Sequence, residues 1–185
     1  MVKLTKIYTR TGDTGESGLV GGGRLKKSHL QFSAIGDVDE ANATIGFAAA
    51  VIDKKSTAFE VLQQVQNDLF DVGADLATPS DIDGALRITA DATAWLEQAI
   101  DSLSTDLEPL ESFVLPGGKE SAARLHIART VVRRAERCVA TLTGEQTLNP
   151  EILKYLNRLS DLLFQLARVQ NDNGKRDILW IPGGA

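Results

Sequence analysis

The chain of 185 residues has one cysteine, Cys138, and two histidines, His29 and His126, which lie far apart. A lone cysteine rules out an internal disulfide framework. No Cys/His run has the spacing of a zinc site. No apolar run approaches the roughly 20 residues that span a bilayer, and the opening stretch MVKLTKIYTR lacks the apolar segment of a signal peptide. These absences predict a soluble, cytoplasmic protein with no membrane partner. Basic excess is missing too: 20 Lys+Arg stand against 25 Asp+Glu, a net charge of −5. That balance excludes a surface built around nucleic acid, so an anionic ligand would have to be held by a local cluster. A nucleophilic Ser/His or Cys/His set is also lacking, so any enzymatic chemistry would draw its reactivity from the substrates. What remains is ample for one domain with a sizeable core, since 43% of the residues are hydrophobic.

Helical periodicity dominates after the first thirty residues. Val38, Ala41, Ile45, Ala48 and Ile52 recur at three-and-four spacing within Ile35–Lys55. A second stripe, Leu62, Val65, Leu69, Val72 and Leu76, follows a Thr57/Glu60 capping box and ends before Pro79. A shorter helix follows Thr89, with Ala92, Leu96, Ala99 and Leu103 on one side. The fourth, roughly Lys119 to Leu142, carries Leu125, Ala128, Val132, Ala135, Val139 and Leu142. The fifth opens on Asn149-Pro150, an N-cap with proline at the first helical position, and its stripe is Leu153, Leu156, Leu159, Leu163 and Leu166. No Val/Ile/Thr alternation is long enough for a sheet. The fold class expected is an all-α five-helix bundle.

Four features stand out as candidate chemistry. Residues 9–24, TRTGDTGESGLVGGGR, hold six of the 16 glycines together with Thr9, Thr11, Thr14 and Ser17, and Arg10, Arg24, Lys26 and Lys27 lie in or beside them. Such a segment fits a phosphate-cradling nest or an open terminal arm equally. It matches neither a Walker A loop, because Arg24-Leu25 follows Gly23, nor a dinucleotide fingerprint. On the fourth helix Arg124, Arg129, Arg133, Arg134 and Arg137 face only Glu136. Arg129, Arg133 and Glu136 share one face, and a second apolar strip of Ile127, Val131 and Cys138 runs behind. The row suits a solvated, salt-bridged surface, or an anion or neighbouring subunit. On the fifth helix Asn157 and Asp161 lie one turn apart beside the leucine stripe, where an amide is either a satisfied core group or a ligand contact reaching toward the fourth helix. Phe113 sits in a loop closed by Pro116-Gly117-Gly118.

Six ordered blocks carry a family resemblance over essentially the whole chain. They are TRTGDTG from Thr9, GDVDE from Gly36, LFDVGADLATP from Leu69, FVLPGG from Phe113, RTVVRRAER from Arg129 and NRLSDLLFQLAR from Asn157, followed by Trp180-Ile181-Pro182. In these the chain resembles the PduO-type ATP:cob(I)alamin adenosyltransferases. The resemblance implies a homotrimer with each active site between two subunits. The implied reaction moves the 5′-deoxyadenosyl group from ATP to the cobalt of a reduced corrinoid and releases triphosphate. It further implies one domain over 1–185, laid out as an ATP-wrapping segment (1–34), the bundle (35–173) and a tail (174–185). Thr9, Arg10, Thr11, Gly12, Ser17 and Gly18 correspond to the ATP-wrapping residues and Lys27 to a phosphate lysine. Arg133, Arg134, Glu136 and Arg137 fall on the nucleotide-binding helix, and Asn157 beside the phosphates and Mg²⁺, which ATP itself mainly holds. Asp39 and Arg129 match an inter-subunit salt bridge. Phe113 matches the aromatic that displaces the lower ligand of cobalamin. A reductase and an adenosylcobalamin-dependent acceptor enzyme are the implied partners. The chain departs from the family's usual pattern at His29, Gln31, Ile35 and Val169, positions that bear on ATP affinity and corrinoid choice. Two readings from other classes compete: a non-catalytic trimeric ATP-binding regulatory module, and a structural helical oligomer.

Overall fold

The computed structural model describes residues 6–184. Residues 1–5 and Ala185, the outer edges of the expected single domain, lie outside them. The five helices are α1 (Leu30–Ala49), α2 (Thr57–Leu76), α3 (Ala90–Ser104), α4 (Glu120–Leu142) and α5 (Pro150–Gln170). Two antiparallel ribbons of two or three residues per strand accompany them: β1 (Glu16–Gly18) with β2 (Arg24–Lys26), and β3 (Val114–Leu115) with β4 (Ile178–Leu179). Strands this short leave no alternation to read in the sequence.

Helix α4 packs between α1 and α5, with α2 against α1 and α3 against α5 at the flanks. The predicted stripes supply the core. Leu62, Leu69, Leu76, Leu125, Val132, Leu156, Leu159 and Leu163 are all fully or almost fully buried. Because α5 contacts helices on two sides, its buried surface is wider than the predicted stripe and takes in Ile152, Tyr155, Leu162 and Ala167. Each large aliphatic side chain among them contributes about 1.5–3 kcal/mol on leaving water.

Three local expectations need correction. Helix α1 runs over Leu30–Ala49 rather than Ile35–Lys55. It starts early because the His29 ring caps it, Nδ1 accepting from the Gln31 N–H at 3.2 Å. It stops early because Asp53 closes a turn onto the Lys55 N–H at 3.0 Å. The cap of α2 is Ser56, whose hydroxyl accepts from the Phe59 N–H at 3.2 Å, so Thr57 already lies inside the helix. The strip behind α4 does not stay together: Val131 is buried in the chain's own core and Cys138 packs on it, whereas Ile127 is exposed. The Asn149-Pro150 start of α5 is as expected, the Asn149 side chain accepting from Glu151 N–H.

Two polar groups in the core, Tyr155 and Asp75, are paired across elements. Tyr155 donates to Asp68 at 2.9 Å, and burial together with that carboxylate pushes the phenol well above its ordinary pKa. Asp75 accepts from Arg87 at 2.7 Å, from Ile88 N–H at 3.0 Å and from Asn149 Nδ2 at 2.7 Å. One carboxylate thus fastens the connection from α2 to α3 onto the start of α5.

Candidate functional site

The glycine-rich segment is an ordered hairpin. Glu16 pairs with Lys26 and Gly18 with Arg24, and the tip turns through Gly21 and Gly22, whose φ of +87° and +92° a side-chain-bearing residue would resist. The tip docks on the bundle through the Val20 N–H, which donates to Ala77 O at 3.0 Å beyond α2. At the root, Lys27 N–H donates to Gly15 O at 2.8 Å, and its ammonium lies where a Cβ on Gly12 would approach it to 2.9 Å. Arg24 ties the preceding turn by donating to Thr11 O at 2.7 Å. The Thr9 and Thr11 hydroxyls are 2.9 Å apart. Arg10 adopts a φ of +61° and its guanidinium lies over the Tyr8 ring. The structure therefore gathers Gly12 and Lys27, with Ser17 in the adjoining strand and Gly18 at its end.

A second group lies on α4 and α5. Arg133 is exposed, and its carbonyl accepts from Arg137 Nη1 at 3.0 Å. Glu136 accepts from Asn157 Nδ2 at 2.8 Å, which realises the reach of α5 toward α4. Asp161 is turned to Arg158 instead, at 2.9 Å. Arg134 is engaged within the chain by Asp37, at 3.3 Å, and by Glu40 on α1. Arg129 is half-buried, and its Nε has no hydrogen-bond partner among the described residues. Burial and, next, the charge of Arg133 lower its pKa. Asp39 is exposed on α1, where with Phe32, Ile35, Asn42 and Phe70 it lines a groove of about 440 Å³ between α1 and α2. Phe70 is 70% exposed at that groove.

The third group surrounds Phe113, which is 76% exposed. Its carbonyl accepts from the Trp180 N–H at 2.7 Å, and the two rings meet edge to face with centroids 5.9 Å apart. Two departures from the family pattern also find a place. Gln31 is buried and donates to Leu76 O at 2.7 Å, and His29 caps α1. Both residues frame the fold next to the hairpin.

A family model described as cobalamin adenosyltransferase matches residues 7–170. The chain belongs to the cobalamin adenosyltransferase family. A corrinoid adenosyltransferase of Mycobacterium leprae is 48% identical over 193 residues, spanning 99% of this chain and 99% of that protein. One from Mycobacterium tuberculosis is 49% identical over 188 residues, spanning 99% of this chain and 96% of that one. Among solved structures, a variant PduO-type ATP:corrinoid adenosyltransferase from Lactobacillus reuteri complexed with cobalamin and ATP matches with a TM-score of 0.88 at 37% identity, covering 95% of this chain and 99% of that chain.

Membership makes this chain an adenosyltransferase of cobalamin, an enzyme rather than a non-catalytic module or an inert scaffold. Among the described residues no group of three or more His, Cys, Asp or Glu side chains is arranged to hold a metal, and no helix is long and apolar enough to cross a membrane. Two features of this adenosyltransferase escape a reading of the sequence. One is the edge contact of Trp180 on Phe113. The other is the buried network of Arg168, Asn171 and Asp177 beneath that loop, whose one sequence signal is the turn Asp172-Asn173-Gly174.

Proposed function

We propose that the enzyme joins the cobalt of cob(I)alamin to the 5′-carbon of ATP at a site completed by a second copy of the chain within a homotrimer. The cobalt supplies the electron pair of the new bond. The C5′–O bond breaks and triphosphate leaves with the pair from that bond. Cob(I)alamin is a strong nucleophile, so no general base is needed. The protein must align the reacting atoms and stabilise the departing charge.

The observation that carries the reading is the exposed Arg133 beside the Glu136–Asn157 pair on the joined faces of α4 and α5. Arg133 and Lys27 neutralise the triphosphate, with Arg134 and Arg137 on the same helix reinforcing the field. Thr9, Arg10, Thr11, Gly12, Ser17 and Gly18 wrap the nucleotide, and the ammonium of Lys27 already lies over Gly12. Mg²⁺ arrives with ATP, mainly on its phosphates. The carboxylate of Glu136 and the amide of Asn157 are hard oxygen donors suited to that ion, and Mg²⁺ there would offset phosphate charge. Asp39 of one subunit pairs with Arg129 of the next; the half-buried Arg129, whose Nε has no partner among the described residues, supports this. Phe113, exposed on its loop, displaces the lower ligand of cobalamin before reduction. The enzyme works in the cytoplasm, receiving electrons from a reductase and passing adenosylcobalamin to an acceptor enzyme.

The test is an anaerobic assay with Mg-ATP and chemically reduced cob(I)alamin, followed in the visible spectrum. Light-sensitive adenosylcobalamin with one triphosphate per turnover is expected. ATP binding without that product would overturn the displacement at C5′ as drawn here.

A further inference from the structure

Phe113 presents an apolar ring to water at 76% exposure, although such a ring is driven to fold back onto the nearest core. What holds it out comes from a segment far along the chain. Strand β4 pairs with β3, Val114 opposite Leu179 and Leu115 opposite Ile178. Directly before that ladder, Trp180 N–H donates to Phe113 O at 2.7 Å, and Ser112 Oγ donates to Trp180 O at 2.8 Å. The backbone on both sides of Phe113 is thereby fixed, and the indole meets the phenyl ring at 62° with centroids 5.9 Å apart. That is a favourable edge geometry for an aromatic pair.

The segment carrying Trp180 is itself anchored from below. Asp177 accepts from Arg168 Nε at 2.9 Å and from Asn171 Nδ2 at 3.0 Å, all three being largely buried. The same Asn171 side chain holds the far end of the Phe113 loop, accepting from Lys119 N–H at 2.9 Å and donating to Gly117 O at 3.2 Å. Gly118, at a φ of +94°, leaves room for that amide where any Cβ would overlap it. Loop and tail therefore share one foundation, and the tail closes over the loop through Trp180.

We propose that Trp180 is a positioning residue for the corrinoid end of the site, which sets the orientation of the Phe113 ring against the lower face of cobalamin. The inference rests on the reading of Phe113 given above and adds the residue that enforces its pose. Trp180 acts on the conversion of cob(II)alamin, whose lower ligand must leave before an external one-electron donor can reduce the cobalt. It has no part in the displacement on ATP.

The experiment compares the whole enzyme with Trp180→Ala, Trp180→Phe, Phe113→Ala and the double variant. Rates are measured from cob(II)alamin with reduced flavin as electron donor and from preformed cob(I)alamin, both with saturating Mg-ATP. Electron paramagnetic resonance of bound cob(II)alamin reads the fraction lacking a lower ligand. In Trp180→Ala the ratio of the cob(II) to the cob(I) rate is expected to fall about tenfold, with a matching fall in that spectral fraction. Trp180→Phe, which keeps a ring edge, is expected to recover the ratio to within about threefold of wild type. The double variant is expected to be no worse than Phe113→Ala. A selective loss in Phe113→Ala with an unchanged ratio in Trp180→Ala overturns this inference and leaves the wedge intact. Losses that add in the double variant overturn it as well. Equal losses by both routes in Phe113→Ala overturn the wedge reading itself. If Trp180→Ala fails to fold, Ser112→Ala, which loses only the bond to Trp180 O, must lower the same ratio and spectral fraction for the inference to stand.

Discussion

The amide of Asn157 donates to Glu136 Oε1 across 2.8 Å, joining α5 to the arginine-bearing face of α4 one turn beyond Arg133. The bond orients two oxygen-bearing side chains next to the strongest positive cluster in an acidic chain. Asn157→Ala releases Glu136 and removes one oxygen donor. The KM for Mg-ATP is expected to rise about tenfold, equivalent to about 1.4 kcal/mol. Initial rates at saturating cob(I)alamin check it, and an unchanged KM would remove Asn157 from the nucleotide site.

Arg133, like Arg137, is exposed in that cluster, whereas Arg134 is already paired with Asp37 and Glu40. If its charge stabilises triphosphate as it departs, Arg133→Ala lowers kcat by about 10²–10³-fold, the range for losing one donor aimed at developing charge. Arg133→Lys keeps the charge and loses the planar fork, so it is expected to fall between the two. Both cob(II) and cob(I) routes must show the loss, because the leaving group is common to them. Normal turnover in Arg133→Ala takes the arginine out of the mechanism.

The bundle was legible because its helices carry long, regular stripes: every predicted core position of α2 and α4 is buried. Ends were read less well, for local reasons. Ser56 and Thr57 are adjacent and either hydroxyl can cap, so the choice between them depends on the backbone and not on composition. A histidine cap such as His29 has no strong sequence signal at all. In the candidate site, Arg133, Glu136, Asn157 and Phe113 could be singled out one by one, and the spacing placed Asn157 toward the fourth helix without naming Glu136 as its partner. The support of Phe113 was invisible, since Trp180 reaches it across more than sixty residues through two-residue strands, and Asp177 only indirectly, through bonds to Arg168 and Asn171.

Asp75 shows what a buried carboxylate contributes to this fold. It is 2% exposed and holds Arg87, the Ile88 N–H and Asn149 at once. Asp75→Ala takes the counter-charge from Arg87 and the acceptor from the Ile88 N–H, while Arg87 keeps Thr78 O and Pro79 O and Asn149 keeps Ile88 O. Removing one member of a buried pair costs about 3–5 kcal/mol. Arg87 retains partial access to water, which favours the lower end, about 3 kcal/mol. For a chain of this size that corresponds to a fall in Tm of roughly 6–12 °C. Thermal unfolding followed by circular dichroism checks it, and a shift below about 2 °C would show that the network is dispensable.

His126 gives the fold a pH dependence of predictable sign. The ring is 2% exposed on α4, edge-on to Phe164, and neither nitrogen has a hydrogen-bond partner among the described residues. Burial first, and the charge of Arg129 second, lower its pKa below the ordinary 6.5, against a smaller opposing pull from Asp177. The folded chain therefore keeps the ring neutral where the unfolded chain already protonates it. With more protons bound in the unfolded state, stability declines as the pH drops through about 6.5, and continues to decline until the folded-state pKa is passed. Phe fills similar space and cannot titrate, so His126→Phe removes this one contribution while the carboxylates titrate as before. Between pH 7.5 and 5.5 the wild-type Tm is expected to fall more steeply than that of the variant. Parallel slopes would mean that the buried ring takes up its proton as readily in the fold as outside it.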